Sequence, residues 1–126
     1  MKLESDPACG EVLISGSAAE LSALARAVAA GEGFVGADAG STPSGIEARR
    51  TSGPGVLVHL DLEQRVLLIS GDAAARAVLA ENLQAMAEEE DGGHLHVDWY
   101  PGHYYLAEGS IPLVVDSPHG GMPVRR

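Results

Sequence analysis

The feature that most constrains the fold of this chain is an internal repeat. Segment 13–19, Leu-Ile-Ser-Gly-Ser-Ala-Ala, returns fifty-five positions later as segment 68–74, Leu-Ile-Ser-Gly-Asp-Ala-Ala. At the same offset, segment 56–61 aligns with segment 111–116. Two repeats are too few for a solenoid, but they can form a pseudo-symmetric domain around one shared core. The function must then come from what the repeat carries.

Each copy of the repeat predicts a strand followed by a capped helix. Segment 17–20, Ser-Ala-Ala-Glu, is a capping box, and Asp72 offers a capping carboxylate at the equivalent point of the second copy. Glycines end both helices, Gly31 in the first copy and the pair 92–93 in the second. Helical spacing of the apolar residues after each cap supports both helices.

Alternating apolar residues predict six strands, over 12–15, 46–51, 56–62, 65–70, 95–99 and 111–115. The turn sequence Ser-Gly-Pro-Gly at 52–55 predicts a hairpin between the second and third of these strands. The Gly-, Ser- and Ala-rich segment 31–45 predicts a flexible loop.

The alternation also predicts which face of the sheet is covered. Segment 94–99 reads His-Leu-His-Val-Asp-Trp, so one face of that strand is apolar and the other is polar. We therefore expect an α+β fold, a two-layer sandwich built from a pseudo-symmetric tandem strand-helix-strand-strand repeat. Both helices would lie on one face of a mainly antiparallel sheet.

Chain length indicates the domain organisation. At 126 residues we expect a single domain over 1–126, large enough to fold around its own core. Repeat 1 would cover about 11–62, repeat 2 about 65–116, and the Pro- and Gly-containing segment 117–126 would be a loose tail.

The formal net charge of −10 restricts the classes of partner. A surface this acidic repels phosphate backbones, which argues against a nucleic-acid partner, and it attracts basic proteins. No apolar run reaches the roughly 18 residues that a membrane span needs, and segment 1–10 lacks a signal-peptide pattern, so we expect a cytoplasmic protein without a membrane partner. Cys9 is the only cysteine, and we expect it to be incidental.

One set of side chains suggests a metal site as an alternative. His94, His96 and Asp98 share one strand face, and His59 and Asp61 could sit on a nearby strand. Imidazole and carboxylate groups bind zinc or non-haem iron, but an exposed polar sheet face explains the same pattern without an ion. Paired modules of this kind also resemble the vicinal oxygen chelate enzymes and their drug-binding relatives. That resemblance implies a metal- or small-molecule-binding protein.

The densest local signal is aromatic. Segment 99–105 holds four of the five aromatic residues of the chain, and such residues dominate binding hot spots. We assign Trp99 to the core, while the acidic run 88–91 at the end of the second helix suits a cationic partner. The predicted partner-binding residues are Tyr100, His103, Tyr104 and Tyr105 of the aromatic segment, His59, His94, His96 and Asp98 of the strands, and Glu88, Glu89 and Glu90 of the acidic run.

The chain resembles an actinobacterial family of immunity proteins from polymorphic toxin systems, the family numbered thirty-two. The resemblance rests on segments 13–16, 20–25, 79–83, 93–110 and 113–115, and the fourth is the most specific of them. It implies a non-catalytic protein that binds a cognate toxin inside the producing cell, with no catalytic residues and no cofactor. The negative charge suits a basic toxin, such as a nuclease. Uncovered sheet edges would also permit a homodimer.

Overall fold

The structure, a computed structural model, describes residues 1–6 and 10–122; Cys9 lies outside the described residues. This part of the chain contains two helices and eight strands. In chain order they are β1 (Lys2–Asp6), β2 (Glu11–Ser15), α1 (Ala18–Ala30), β3 (Glu32–Gly36), β4 (Gly45–Arg50), β5 (Val56–Asp61), β6 (Val66–Gly71), α2 (Ala73–Ala87), β7 (His94–Val97) and β8 (Leu113–Asp116). The predicted α+β class, both helices and all six predicted strands are confirmed.

The strands form two four-stranded sheets, ordered β1-β2-β8-β7 and β3-β4-β6-β5. The predicted hairpin over 52–55 is wrong, because β6 lies between β4 and β5 and pairs with both. The prediction of a flexible loop over 31–45 is also wrong in part, since this segment contains β3. That strand carries two glycines and has little strand propensity, but it pairs in register with β4 and packs against α1.

The two halves of the chain have the same element order, two strands, one helix and two strands. Each sheet takes one strand pair from each half: β1-β2 joins β8-β7, and β5-β6 joins β4-β3. The joining pairs, β2 with β8 and β4 with β6, are parallel, while the other pairs are antiparallel. Neither half therefore contains a complete sheet by itself.

We call this sharing of strand pairs between the two halves the strand exchange, and it changes how the two copies of the repeat align. The offset of fifty-five relates β1 to β5, β2 to β6 and α1 to α2, but the segments after the helices differ in length. By position in the sheets, segment 56–61 is equivalent to β1, and 111–116 overlaps β8, which is equivalent to β4. The predicted alignment of 56–61 with 111–116 is therefore wrong, whereas the repeat bounds of about 11–62 and 65–116 stay a prediction.

One hydrophobic cluster draws on both halves. The helices pack extensively against each other, α1 also contacts β3 and β4, and α2 contacts β6, β7 and β8. The buried apolar residues of the helices are Leu21, Leu24, Ala25 and Val28 of α1 and Ala75, Leu79, Ala80, Leu83 and Ala87 of α2. Neither helix in the described part of the chain is long and apolar enough to cross a membrane.

A buried arginine links the amino end of α2 to the carboxyl end of α1. Arg76 lies in the first turn of α2 and is only 5% exposed. Its Nη1 donates to the carbonyls of Val28, at 3.1 Å, and Ala29, at 2.7 Å, and its Nε donates to the Gly71 carbonyl at 2.9 Å. The last carbonyls of a helix have no partner within the helix and carry its partial negative charge, so a guanidinium stabilises them.

The end of α1 is shaped to admit this side chain. Gly31 caps α1 in the left-handed conformation, with φ 72°, and a Cβ there would lie 2.6 Å from the guanidinium carbon of Arg76. Arg50 of β4 adds a bond from its Nε to the Ala30 carbonyl at 3.0 Å. Two cations thus satisfy three consecutive carbonyls at the end of α1.

Asp72 ties the start of α2 to the turn before β5. Its carboxylate accepts from the Ala75 amide at 3.1 Å and from the Gly55 amide at 2.7 Å. These backbone hydrogen bonds hold the pKa of Asp72 below its ordinary value of 3.8.

One outer edge of each sheet is covered by a loop from the other sheet. The β3–β4 loop lies along β1, where the Thr42 amide donates to the Leu3 carbonyl at 3.2 Å and the Leu3 amide donates to the Ser41 hydroxyl at 3.1 Å. The equivalent β7–β8 loop lies along β5. Among the described residues no segment pairs with the outer edges of β3 and β7, and the homodimer stays a prediction.

The segment after β8 is held against the start of β7. Ser117 is buried, its amide donates to the Gly93 carbonyl at 2.8 Å, and its hydroxyl donates to the Asp91 carbonyl. The Gly93 amide in turn donates to the Gly120 carbonyl at 2.9 Å. The described part of the expected loose tail is therefore bonded to the sheet as far as Gly120, and residues 123–126 lie outside the described residues.

Replacing Arg76 tests the link between the helices. We expect Arg76→Met to lower the free energy of unfolding by about 2–4 kcal/mol, because the hydrogen bonds from the charged guanidinium to the carbonyls of Val28, Ala29 and Gly71 are lost. Denaturant titration measures this loss. Arg26→Met is the control, since Arg26 is an exposed arginine of α1, and it should change stability by less than about 0.5 kcal/mol. Equal losses in the two variants would contradict the role given to Arg76.

The lowered pKa of Asp72 predicts an acid-dependent contribution to stability. A carboxylate with a depressed folded-state pKa stabilises the fold fully above its ordinary value, here 3.8, and loses this contribution as pH falls through the lower value. Asp72→Asn keeps a capping oxygen but cannot titrate. We expect the stability difference between the wild type and this variant to shrink below about pH 4. Urea titrations across that range would count against the prediction if the difference stayed constant, and Asp98→Asn, at an exposed position, is the control.

Candidate partner-binding surface

The aromatic segment, Trp99–Tyr105, is organised around His103. The Nδ1 atom of His103 accepts from the amides of Tyr105, at 3.2 Å, and Leu106, at 3.0 Å. An imidazole nitrogen that accepts leaves the hydrogen of the neutral ring on Nε2. The amide of His103 itself donates to the Tyr100 carbonyl at 2.9 Å. The imidazole therefore takes the place of a backbone acceptor and holds the segment in one conformation.

Three tyrosine rings surround this imidazole. The Tyr100 ring is tilted against it at 4.7 Å between centroids, the Tyr104 ring stacks on it at 5.4 Å, and the Tyr105 ring meets it edge to face at 4.6 Å. Tyr100 is 54% exposed and Tyr104 is 73% exposed. Two large rings are thus presented to solvent on a fixed support.

The third tyrosine belongs to the core. Tyr105 is 6% exposed, and burial raises the pKa of its hydroxyl, partly opposed by a hydrogen bond from the Asn82 side chain of α2. Trp99 is partly buried and packs against the same core, as predicted. A buried ring has little area to offer a partner, so the sequence-predicted contact at Tyr105 is replaced by a supporting role beneath Tyr104, whose ring lies 5.0 Å away.

The residues after the aromatic segment bind the edge of β5. The Val56 amide donates to the Tyr105 carbonyl and the Ala107 amide donates to the Val56 carbonyl, both at 2.7 Å. Further along, the Ile111 amide donates to the Val58 carbonyl at 3.0 Å. The segment is therefore anchored to the second sheet, although β7 and β8, which flank it, belong to the first.

This anchoring creates a groove between the aromatic segment and the turn before β5. The groove has a volume of about 470 Å³. Its walls are Pro54 and Gly55 on one side and the run His103–Glu108 on the other. A smaller depression of about 240 Å³ continues from it past Leu57 and Ser70. We call the two exposed rings Tyr100 and Tyr104, together with this groove, the tyrosine surface.

A comparison with protein families provides an independent observation. Residues 11–30 and 66–118, together more than half of the chain, match the family Immunity protein 32. The chain belongs to this immunity protein family. The matched segments contain β2 with α1, and β6 through β8 with the aromatic segment. Neither the comparison with curated proteins nor the comparison with solved structures returned a match.

In this immunity protein the histidines predicted as alternative metal ligands do not line the groove of the tyrosine surface. His94 and His96 extend from the same face of β7, with ring centroids 5.4 Å apart, and Asp98 is exposed beyond the end of that strand. The Nδ1 atom of His94 lies 3.4 Å from Asp116, which also accepts from the Ser15 hydroxyl at 3.1 Å. Within residues 1–6 and 10–122, no group of three or more metal-binding side chains converges.

His59 does not join this group. It lies on β5, in the second sheet, whereas His94 and His96 lie on β7 in the first. The expectation that these histidines occupy neighbouring strands is therefore wrong, because the strand exchange separates them. Asp61 is used locally, where its carboxylate accepts from the amides of Glu63 and Gln64 in the turn after β5.

The acidic run lies at the carboxyl end of α2. Glu88 caps the helix and accepts from the Gln84 side chain at 3.2 Å, Glu89 accepts from the Asp91 amide at 3.3 Å, and Glu90 is exposed. Because α2 rises about 1.5 Å per residue, Glu88 is about 9 Å along the axis from Asn82, which contacts Tyr105. None of the three glutamates lines the groove.

Sequence reasoning missed two parts of the groove. Glu108 is exposed, and it lines the groove three residues after Tyr105. Its position in the turn that ends the aromatic segment was a usable signal. Pro54 had no such signal, because it is distant in sequence and reaches the groove only through the pairing of the β7–β8 loop with β5.

The acceptor role of His103 predicts that replacing it lowers stability and exposes two amides of the segment to hydrogen exchange. His103→Phe keeps an aromatic ring but removes Nδ1, and we expect it to lower stability by about 1–2 kcal/mol through two unpaired amides. Hydrogen exchange at the Tyr105 and Leu106 amides should become about tenfold faster. In the control variant Tyr104→Phe the same amides should keep their wild-type rates. Unchanged protection in His103→Phe would show that the imidazole does not hold the segment.

Proposed function

We propose that this immunity protein binds a basic cognate toxin through the tyrosine surface and neutralises it without catalysis. The observation that carries the proposal is the pair of exposed rings, Tyr100 and Tyr104, on a preorganised segment of an immunity-family chain. Aromatic side chains on a rigid support contribute much contact area at little entropic cost. Occupying the working surface of a toxin is sufficient for inhibition.

Charge supports a basic partner. The chain carries a formal net charge of −10, and several carboxylates near the tyrosine surface are exposed, among them Asp98 and Glu108. A negative field of this size accelerates association with a positively charged protein and makes the rate depend on salt. A toxin that acts on nucleic acid would be basic for its own function, and an acidic inhibitor would compete with its substrate.

The acidic run adds a second, weaker argument. Negative side chains at the carboxyl end of a helix repel the partial negative charge of that end. Glu88, Glu89 and Glu90 occupy this position on α2, whereas α1 ends against Arg50 and Arg76. A cationic surface would relieve that repulsion. We propose that the run steers a basic toxin during association.

We propose that this interaction takes place in the cytoplasm of the producing cell, because a newly synthesised toxin is first active there. The test is co-expression of this chain with the toxin encoded beside it. We expect growth to be restored and the two proteins to purify as a complex whose association slows at high salt. Continued toxicity despite soluble, folded immunity protein would refute the proposal.

Charge placement is tested with two triple variants of equal net charge. Changing Glu88, Glu89 and Glu90 to glutamine should slow association with the toxin by about tenfold at low salt. The matched control changes Glu4, Glu32 and Glu63 to glutamine, three exposed carboxylates on other elements. Stopped-flow association rates distinguish the two outcomes: equal slowing would mean that only the total charge matters and that the acidic run does not steer.

A further inference from the structure

Tyr104 offers one free aromatic face beside a carboxylate. One face of its ring is stacked on His103, with an interplanar angle of 2°, and the Tyr105 ring meets it at 78° and 5.0 Å. The side chain nevertheless remains 73% exposed. The ring is therefore held in place from behind, and its other face is open to a planar ligand.

The groove beside this ring carries one kind of charge. Among the described residues, its lining contains the carboxylate of Glu108 and no lysine or arginine, and the smaller depression that continues from it adds no charged residue. Within residues 1–6 and 10–122, Glu108 makes no ion pair. Asp72 lies behind the groove wall, where it accepts from the Gly55 amide and adds negative charge.

We infer that this groove receives an arginine side chain of the toxin, with the guanidinium stacked on Tyr104 and paired with Glu108. The inference rests on the proposed function and names the chemical group that the tyrosine surface recognises. A planar guanidinium can stack on an aromatic face and donate to a carboxylate at the same time, whereas the compact ammonium of lysine cannot stack. An uncharged apolar side chain would leave Glu108 without a partner at the interface.

The groove is built to bind without rearrangement. His103 is fixed by two amide donors, the Ala107 amide donates to the Val56 carbonyl, and the Gly55 amide donates to Asp72. A site that is already ordered in the free protein loses little conformational entropy on binding. The arginine should therefore be an anchor of the interface rather than a peripheral contact.

The first experiment uses small probes and the whole chain. N-acetyl-arginine amide, titrated into isotope-labelled protein, should shift the amide signals of residues 103–108 and 55, with an affinity about threefold or more above that of N-acetyl-lysine amide. Tyr104→Leu and Glu108→Gln should each remove the preference for arginine. The controls are Phe34→Leu and Glu63→Gln, an exposed aromatic residue and an exposed acid outside the groove. Equal shifts by the two probes, or shifts spread over the whole acidic surface, would overturn the inference.

The second experiment separates this inference from the proposed function. With the toxin encoded beside this chain, Tyr104→Leu and Glu108→Gln should each weaken the complex by about tenfold or more, and the two control variants should not. If the wild type neutralises the toxin but the groove variants bind it unchanged, the arginine site is wrong and the proposed function stands. If the wild type does not neutralise the toxin, the proposed function fails, and the probe titration alone decides whether the groove recognises arginine.

Discussion

The parallel pairing of strands from opposite halves of the chain is the constraint on which the rest of the structure depends. β2 pairs with β8 and β4 pairs with β6, so each sheet is completed by the other half. Both helices and both sheets therefore share one core, and neither half can bury its apolar face alone. Pairings this distant in sequence are formed only after large loops close, which makes folding of the two halves interdependent.

The exchange also explains why the two sheets protect their edges alike. The loop after β3 covers β1, and the loop after β7 covers β5, each crossing from its own sheet to the other. An uncovered edge would offer unpaired amides and carbonyls to other chains. The first loop does this with small residues, whereas the second carries the aromatic segment. The β7–β8 loop therefore both covers the edge of β5 and holds Tyr100 and Tyr104 at the surface.

Pseudo-symmetry is broken where the helices meet. Arg76 occupies the position in α2 that Leu21 occupies in α1, and its guanidinium replaces an apolar contact with three backbone hydrogen bonds. As a result α1 ends against cations, while α2 ends in the acidic run and has no basic residue in its last turn. The same helix type therefore has a neutralised end in one half and a negative, exposed end in the other. The second arrangement is electrostatically unfavourable, because the glutamates repel the partial negative charge at the end of the helix.

Local chemistry in the sequence determined the helices, the caps and most strands. Ser17 forms the capping box with Glu20, and Asp72 caps α2, because these bonds involve neighbours in the chain. The exposure of Tyr100 and the core position of Trp99 also followed from composition and alternation. β3 escaped prediction because its glycines indicate a loop and only pairing with β4 makes it a strand.

Only the tertiary structure decided which strands became neighbours. The turn at 52–55 has hairpin composition, yet β6 separates the strands on either side of it, because strand order depends on the whole core rather than on one turn. The same order placed His59 and His94 in different sheets and brought Pro54 beside Glu108. The sequence by itself determined the helices, their caps and the aromatic segment, and the strand exchange decided which distant segments lie side by side, since contacts between distant segments depend on packing that no local pattern records.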